Sequence, residues 1–191
     1  VIKIGKNSFQ NSSVKTVNIG KTVKEISDNA FSDCQNLNSV CADSIKVIGH
    51  SAFANCPSLS DVTVGPKLNA IGDYAFVGCS SLKEIKTPAN LYRLGDYCFA
   101  ESGLVSFQFT RSINVGSYAF NKCNDLTNID CQGVTLNLAE GAFCECRNLS
   151  QLRGFVSPSE LPNKVFNNCV NLEINDILTS DSLKVIGDYA F

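Results

Sequence analysis

The stretch LNAIGDYAFVGCSSLKEI, residues 68–85, decides the fold. Its central Phe76 is one of nine phenylalanines that return in register: Phe9, Phe31, Phe53, Phe76, Phe99, Phe120, Phe143, Phe166 and Phe191. The gaps are 22, 22, 23, 23, 21, 23, 23 and 25 residues. Other columns keep the same beat. An aliphatic stands five before each Phe (Ile4, Ile26, Ile48, Ile71, Leu94, Val115, Leu138, Leu161, Ile186). Glycine stands four before it in most units, as at Gly49, Gly72 and Gly95. A unit of 20 to 30 residues cannot bury its own apolar side, so such units stack.

The columns imply a mechanism for one coil. Glycine allows a tight turn. The Asp, Ser or Asn three before the Phe (Asp28, Asp73, Asp96, Ser117, Asn163, Asp188) is a capping type and predicts the start of a short helical turn that carries the Ala-Phe pair. Behind it, period-2 alternation at Val62–Val64 and Phe107–Phe109 predicts a strand. The expected fold is an α/β, β-rich solenoid of about eight to nine coils of 21–25 residues, with a parallel sheet on one face and short helical or 3₁₀ turns on the other. Residues 1–191 read as a single solenoid domain without a linker. Both ends fall inside a repeat, so the reading expects a fragment of a longer array that lacks both caps.

Composition narrows the partners. Sixteen basic and 18 acidic residues are interspersed and leave a net charge of −2, with no basic stripe for nucleic acid. No apolar run reaches the 18 residues that a membrane-spanning helix needs, so membrane insertion by this segment is not expected.

The pattern I-G-x-x-A-F-x-x-C-x-x-L-x-x-I, read over Ile71–Ile85 and again in VIGHSAFANCPSLSDV (47–62) and NVGSYAFNKCNDLTNI (114–129), resembles the BspA-like, treponemal-type leucine-rich repeat. The resemblance covers essentially the whole chain. It implies an extended repeat domain of large surface or secreted proteins of bacteria and of parasitic or symbiotic protists, with members implicated in adhesion. Some coils depart from the pattern. The first and fifth lose one residue after their Phe and carry Ser12 and Ser102 in place of cysteine. Pro162 occupies a glycine position, and the coil before Phe191 is two residues longer and polar at the inward position Asn175, which predicts a bulge or a change of register.

The repeat absorbs most residues that suggest chemistry. Of ten cysteines, Cys34, Cys56, Cys79, Cys123, Cys146 and Cys169 stand three after a Phe and form one column. Side chains stacked about 4.8 Å apart point the same way, which suits neither disulfides nor a tetrahedral metal site. They read as buried structural thiols. Cys41, Cys98 and Cys144 lie off the column, and Cys41, pointing out from a strand, is the candidate reactive thiol. The lone histidine, His50, falls in the capping column. Asp73, Asp96 and Asp188 recur once per coil, without the clustered carboxylates that calcium takes. No catalytic residue, metal or cofactor is assigned. Asn11 and Asn148 match the glycosylation sequon.

A partner surface remains. The outward strand positions form two columns, Thr16, Ser39, Asp61, Glu84, Ser106, Asn128, Gln151 and Asn18, Cys41, Thr63, Lys86, Gln108, Asp130, Arg153. This polar face is the candidate protein-binding surface; a ridge of Tyr74, Tyr97, Tyr118 and Tyr189 is a second. The expectation is a non-enzymatic protein-binding or adhesion module, cell-surface or secreted, whose partner is another protein. The alternative is an intracellular, cytoplasmic scaffold, since ten reduced cysteines suit a reducing compartment.

Overall fold

In the computed structural model, which describes residues 2–178 and 180–191, the chain winds as a parallel solenoid. Every named strand pair is parallel. Numbered along the chain, the strands fall into two sets. The front set is β2 (Thr16–Asn18), β4 (Ser39–Ala42), β6 (Asp61–Val64), β9 (Ser106–Gln108), β11 (Asn128–Asp130) and β13 (Gln151–Arg153). The side set is β1 (Lys3–Ile4), β3 (Glu25–Ile26), β5 (Val47–Ile48), β7 (Ala70–Ile71), β8 (Arg93–Leu94), β10 (Ile113–Val115), β12 (Leu136–Leu138), β14 (Glu160–Leu161) and β15 (Val185–Ile186). A regular coil therefore carries two strands, where the sequence predicted one.

The side strands β1 to β12 join in a continuous seven-stranded sheet, and β14 pairs with β15. The front strands form two three-stranded sheets, β2-β4-β6 and β9-β11-β13. The predicted continuous face is interrupted at Glu84–Lys86. The shortened fifth coil follows this break. Its Gly103 lies so close to the coil before it that an added Cβ would sit 2.0 Å from the Ser80 carbonyl oxygen. Coils four and five then meet through Val105 N–H on the Lys83 carbonyl (3.0 Å) and the Thr87 hydroxyl on the Gln108 carbonyl (2.7 Å), in place of a regular ladder.

The third side of each coil carries the phenylalanine turns, and it corrects the helical expectation. No helix forms there. The residues two before and two after Phe sit at positive φ, as at Tyr74 (57°) and Gly78 (71°) around Phe76, or Tyr97 (53°) and Glu101 (57°) around Phe99. This alternation turns the N–H groups along the solenoid axis. Phe53 donates to the Ala75 carbonyl (2.8 Å), Phe76 to Cys98 (2.7 Å) and Phe99 to Ala119 (2.8 Å), each one coil onward. A helix would keep those bonds within its own turn. The Asp and Asn residues do not cap helices either. The Asp73 carboxylate accepts the N–H of Asp96 (3.0 Å), Asp96 that of Ser117 (2.8 Å), Asp28 that of His50 (3.2 Å), and the Asn163 amide oxygen that of Asp188 (2.8 Å). They join successive coils.

One hydrophobic cluster fills the interior. The Phe rings stack face to face, Phe31 on Phe53 at 5.4 Å and Phe53 on Phe76 at 5.2 Å. The cysteine column is buried beside them, and each thiol donates to the carbonyl of the Phe in the preceding coil, Cys56 to Phe31 and Cys79 to Phe53, both at 3.1 Å. Ser102 fills the same column and meets the Cys123 sulfur at 3.4 Å. The expected irregularity at Asn175 takes the form of one helical turn, α1 (Asn175–Leu178), where a front strand would continue.

Candidate protein-binding surface

Parallel pairing brings the predicted columns together in register. Thr16, Ser39 and Asp61 are adjacent, as are Asn18, Cys41 and Thr63. Ser106, Asn128 and Gln151 form the matching column of the second half, with Gln108, Asp130 and Arg153 beside them. Between the strands' inward residues, such as Val40, Val62, Phe107 and Ile129, these side chains alternate outward, exposed or half-buried. The physical cause is the strand period of two acting on a core that covers one face.

Glu84 and Lys86 are exposed but lie on the unpaired segment between the halves. Shallow grooves flank them. One is lined by Asp61, Thr63, Glu84 and Lys86, the other by Lys86, Ser106, Gln108, Asn128 and Asp130. Their walls are polar and carry both signs of charge. Local bonds tie some of these groups: the Gln108 amide donates to Asp130 (3.2 Å), and the Arg153 Nε donates to Gln151 (3.0 Å).

The other candidates separate clearly. Cys41 is half-buried on the front face with its sulfur 3.9 Å from an Asp43 carboxylate oxygen; the nine other cysteines, including the off-column Cys98 and Cys144, are buried. Burial pushes the Cys56 and Cys131 thiols up to about 12 and raises the Cys79 and Cys98 thiols well above the ordinary range, so these sulfurs stay protonated at neutral pH. His50 is exposed, its ring edge-on to Tyr74 at 5.5 Å. Tyr74, Tyr97 and Tyr118 stack at 5.0 and 5.2 Å along the turn face. The Tyr118 hydroxyl ends the stack by donating to Glu140 (3.0 Å), which also meets Lys164 (3.1 Å); hydrogen bonds from both hold the Glu140 carboxyl below its usual range. Asn11 and Asn148 are exposed, and the Asn148 amide donates to the Asn124 carbonyl (2.7 Å). Among the described residues no three metal-ligating side chains converge, and no helix is long and apolar enough to cross a membrane.

The sequence reading did not identify the side sheet as a surface. Its outward column, Lys3, Glu25, Val47, Ala70, Arg93, Asn114 and Asn137, is longer than either front half. The residue just before each aliphatic column was the available signal. Its mix of apolar, charged and amide types hid it.

The family model described as the BspA type leucine rich repeat region matches residues 2–127 and 113–191, in six copies. The chain belongs to the BspA-type leucine-rich repeat family. Among solved structures it is similar to a leucine rich repeat protein of T. pallidum, at 27% identity and a TM-score of 0.76, over 91% of this chain and 85% of that one. It shares the fold of a leucine rich cell surface protein of Faecalibacterium prausnitzii (21% identity, TM-score 0.50, 100% of this chain and 74% of that one). It also shares the fold of the pneumococcal vaccine antigen PcpA (21% identity, TM-score 0.60, 100% of this chain), of which it spans 57%. No curated protein sequence matches. In this BspA-type array, the repeat itself accounts for the Phe, Gly and Cys columns.

Proposed function

We propose that this chain is a non-enzymatic protein-binding module, serving adhesion in a cell-surface or secreted protein, and that it binds a partner protein through the front face. The observation that carries the reading is the register of that face. Thirteen of its fourteen outward positions are polar, the other being Cys41, and the pairing aligns them into two polar platforms on either side of Glu84 and Lys86. A rigid scaffold that fixes many polar groups at once lowers the entropy lost on binding. Complementary charge sets partner choice and encounter rate more than raw affinity.

The family supports the surface location. The intracellular alternative draws on ten unpaired thiols. The burial of nine of them weakens that argument, because a sulfur shielded from solvent resists oxidation in any compartment. Asn11, exposed and among the described residues free of side-chain hydrogen bonds, is proposed as the accessible glycosylation position, with Asn148 second.

The test is adsorption of the purified chain to immobilised extracellular-matrix proteins and to cells. The comparison is a variant with Asp61→Lys, Glu84→Lys, Lys86→Glu and Arg153→Glu. Binding that falls at least about tenfold, or about 1.4 kcal/mol, supports the front face. A variant of the side sheet, Arg93→Glu, retains binding. Equal binding by the front-face variant and the parent chain defeats the reading.

A further inference from the structure

We propose that the open edge of β13 takes up an extended segment of a partner protein as an added strand. The proposal rests on the protein-binding reading and deepens it by naming the form of the partner. The main chain of β13 alternates in direction. Gln151 N–H donates to the Thr127 carbonyl (3.3 Å), and the Arg153 carbonyl accepts from Cys131 N–H (2.7 Å), so both residues turn their backbone groups toward β11. Leu152 between them turns its N–H and C=O the other way. On that side the next coil begins the ladder with Glu173 N–H on the Ser150 carbonyl (3.3 Å), then leaves it as α1. The Leu152 carbonyl keeps a long turn bond from Phe155 N–H (3.4 Å), and among the described residues the Leu152 N–H has no acceptor. A sheet edge with an unmade donor is a template for a further strand.

A cleft follows this edge. Residues 150–155 line one side, with Glu173 and Ile177 on the other. Because the next coil walls the cleft, it admits a lone extended chain. The edge of a second copy arrives with its own neighbouring coil about 4.8 Å away, and that coil meets the wall. The cleft also states what the segment carries. A residue opposite Leu152 faces the half-buried Leu152 and Phe155 and the buried Ile177, which favours an apolar side chain. Its neighbours face outward beside Arg153, which among the described residues has no ion-pair partner, so an acidic residue fits there. The partner segment is thus an extended strand that alternates acidic and apolar residues.

The experiment uses the isotope-labelled chain and a synthetic capped peptide Ser-Asp-Val-Asp-Val-Gly, which follows residues 60–65, a regular front strand, with Asp in the place of Thr63. Amide hydrogen exchange is read at Leu152 and Ile129. The expected result is that Leu152 exchanges at least about tenfold faster than Ile129 in the free chain, and that saturating peptide slows Leu152 at least about tenfold while Ile129 is unchanged. Leu152→Pro removes the donor and abolishes this binding. Arg153→Glu leaves the backbone intact and weakens it about tenfold, so a failure of the proline variant to fold does not remove the test. The proposal is overturned if Leu152 is as protected as Ile129 in the free chain, or if the peptide leaves Leu152 unchanged. It is also overturned if protection rises with protein concentration alone, which marks self-association. Charge-dependent adsorption that persists while the peptide leaves Leu152 unchanged defeats this proposal alone. Peptide protection without charge-dependent adsorption upholds it and defeats the broader front-face reading.

Discussion

At the scale of single residues, position within the stack decides what each repeated side chain contributes. Phe99 is fully buried between Phe76 and Phe120, while Phe9 is 45% exposed and has one ring neighbour, Phe31. Phe99→Ala is expected to cost about 3–5 kcal/mol and Phe9→Ala roughly half of that or less, measured by denaturant unfolding. The thiols give a pH dependence. Burial holds Cys56 and Cys131 at about 12 in the folded chain against an ordinary 9.0. A thiol raised in this way keeps its full stabilisation below pH 9 and loses it as the pH climbs towards 12, because the unfolded chain ionises first. Stability is expected to fall by about 1.4 kcal/mol per pH unit for each such thiol within that window. Cys56→Ala lowers the slope in melts taken from pH 8 to pH 11; an unchanged slope contradicts the assignment. The six-cysteine column was legible as core from spacing alone. The S–H donation to the Phe carbonyl of the preceding coil was not, because it depends on how closely two coils approach.

At the scale of one element, the phenylalanine turn shows what a local pattern leaves open. Gly-Asp followed by Ala-Phe predicts a capped helix if the partners of the N–H groups lie within the same turn. Stacking offers better-placed acceptors one coil away, and positive φ at residues such as Tyr97 aims the donors at them, at a cost of about 1–2 kcal/mol per non-glycine residue. The aspartates are therefore acceptors between coils. Asp96→Ala removes the acceptor of the Ser117 N–H and is expected to cost about 0.5–1.5 kcal/mol. Asp96→Asn, which keeps the oxygen, costs less than half of that in the same unfolding assay. The tyrosine ridge reads from the sequence as a second candidate surface; in the structure Tyr74, Tyr97 and Tyr118 stack along the turn, while Tyr189 is exposed. The ridge's left-handed backbone carried no sequence signal, since tyrosine there is an exception made by the neighbouring coils.

At the scale of the molecule, stability is a sum over coils and the contacts between neighbours. The sum is uneven at two places where the repeat slips. The front sheet breaks between β6 and β9, just before the short fifth coil, and the long coil before Phe191 replaces a front strand with α1. Backbone groups without a ladder open most readily. Amides of Glu84, Ile85 and Lys86 are expected to exchange at least about tenfold faster than those of Val62 and Phe107; equal protection means the front sheet is continuous in solution.

The sequence by itself determined the solenoid, the coil length, the buried columns and the side of the chain that carries polar residues. These follow from periodicity, because a side chain repeated every coil is placed by its neighbours above and below. Only the tertiary structure decided that each regular coil holds two strands, that the turns bond from coil to coil, and that the front face is divided with an open edge at β13. Those features depend on which acceptor lies nearer in space, and that distance is set by the stacking of coils about 22 residues apart in the chain.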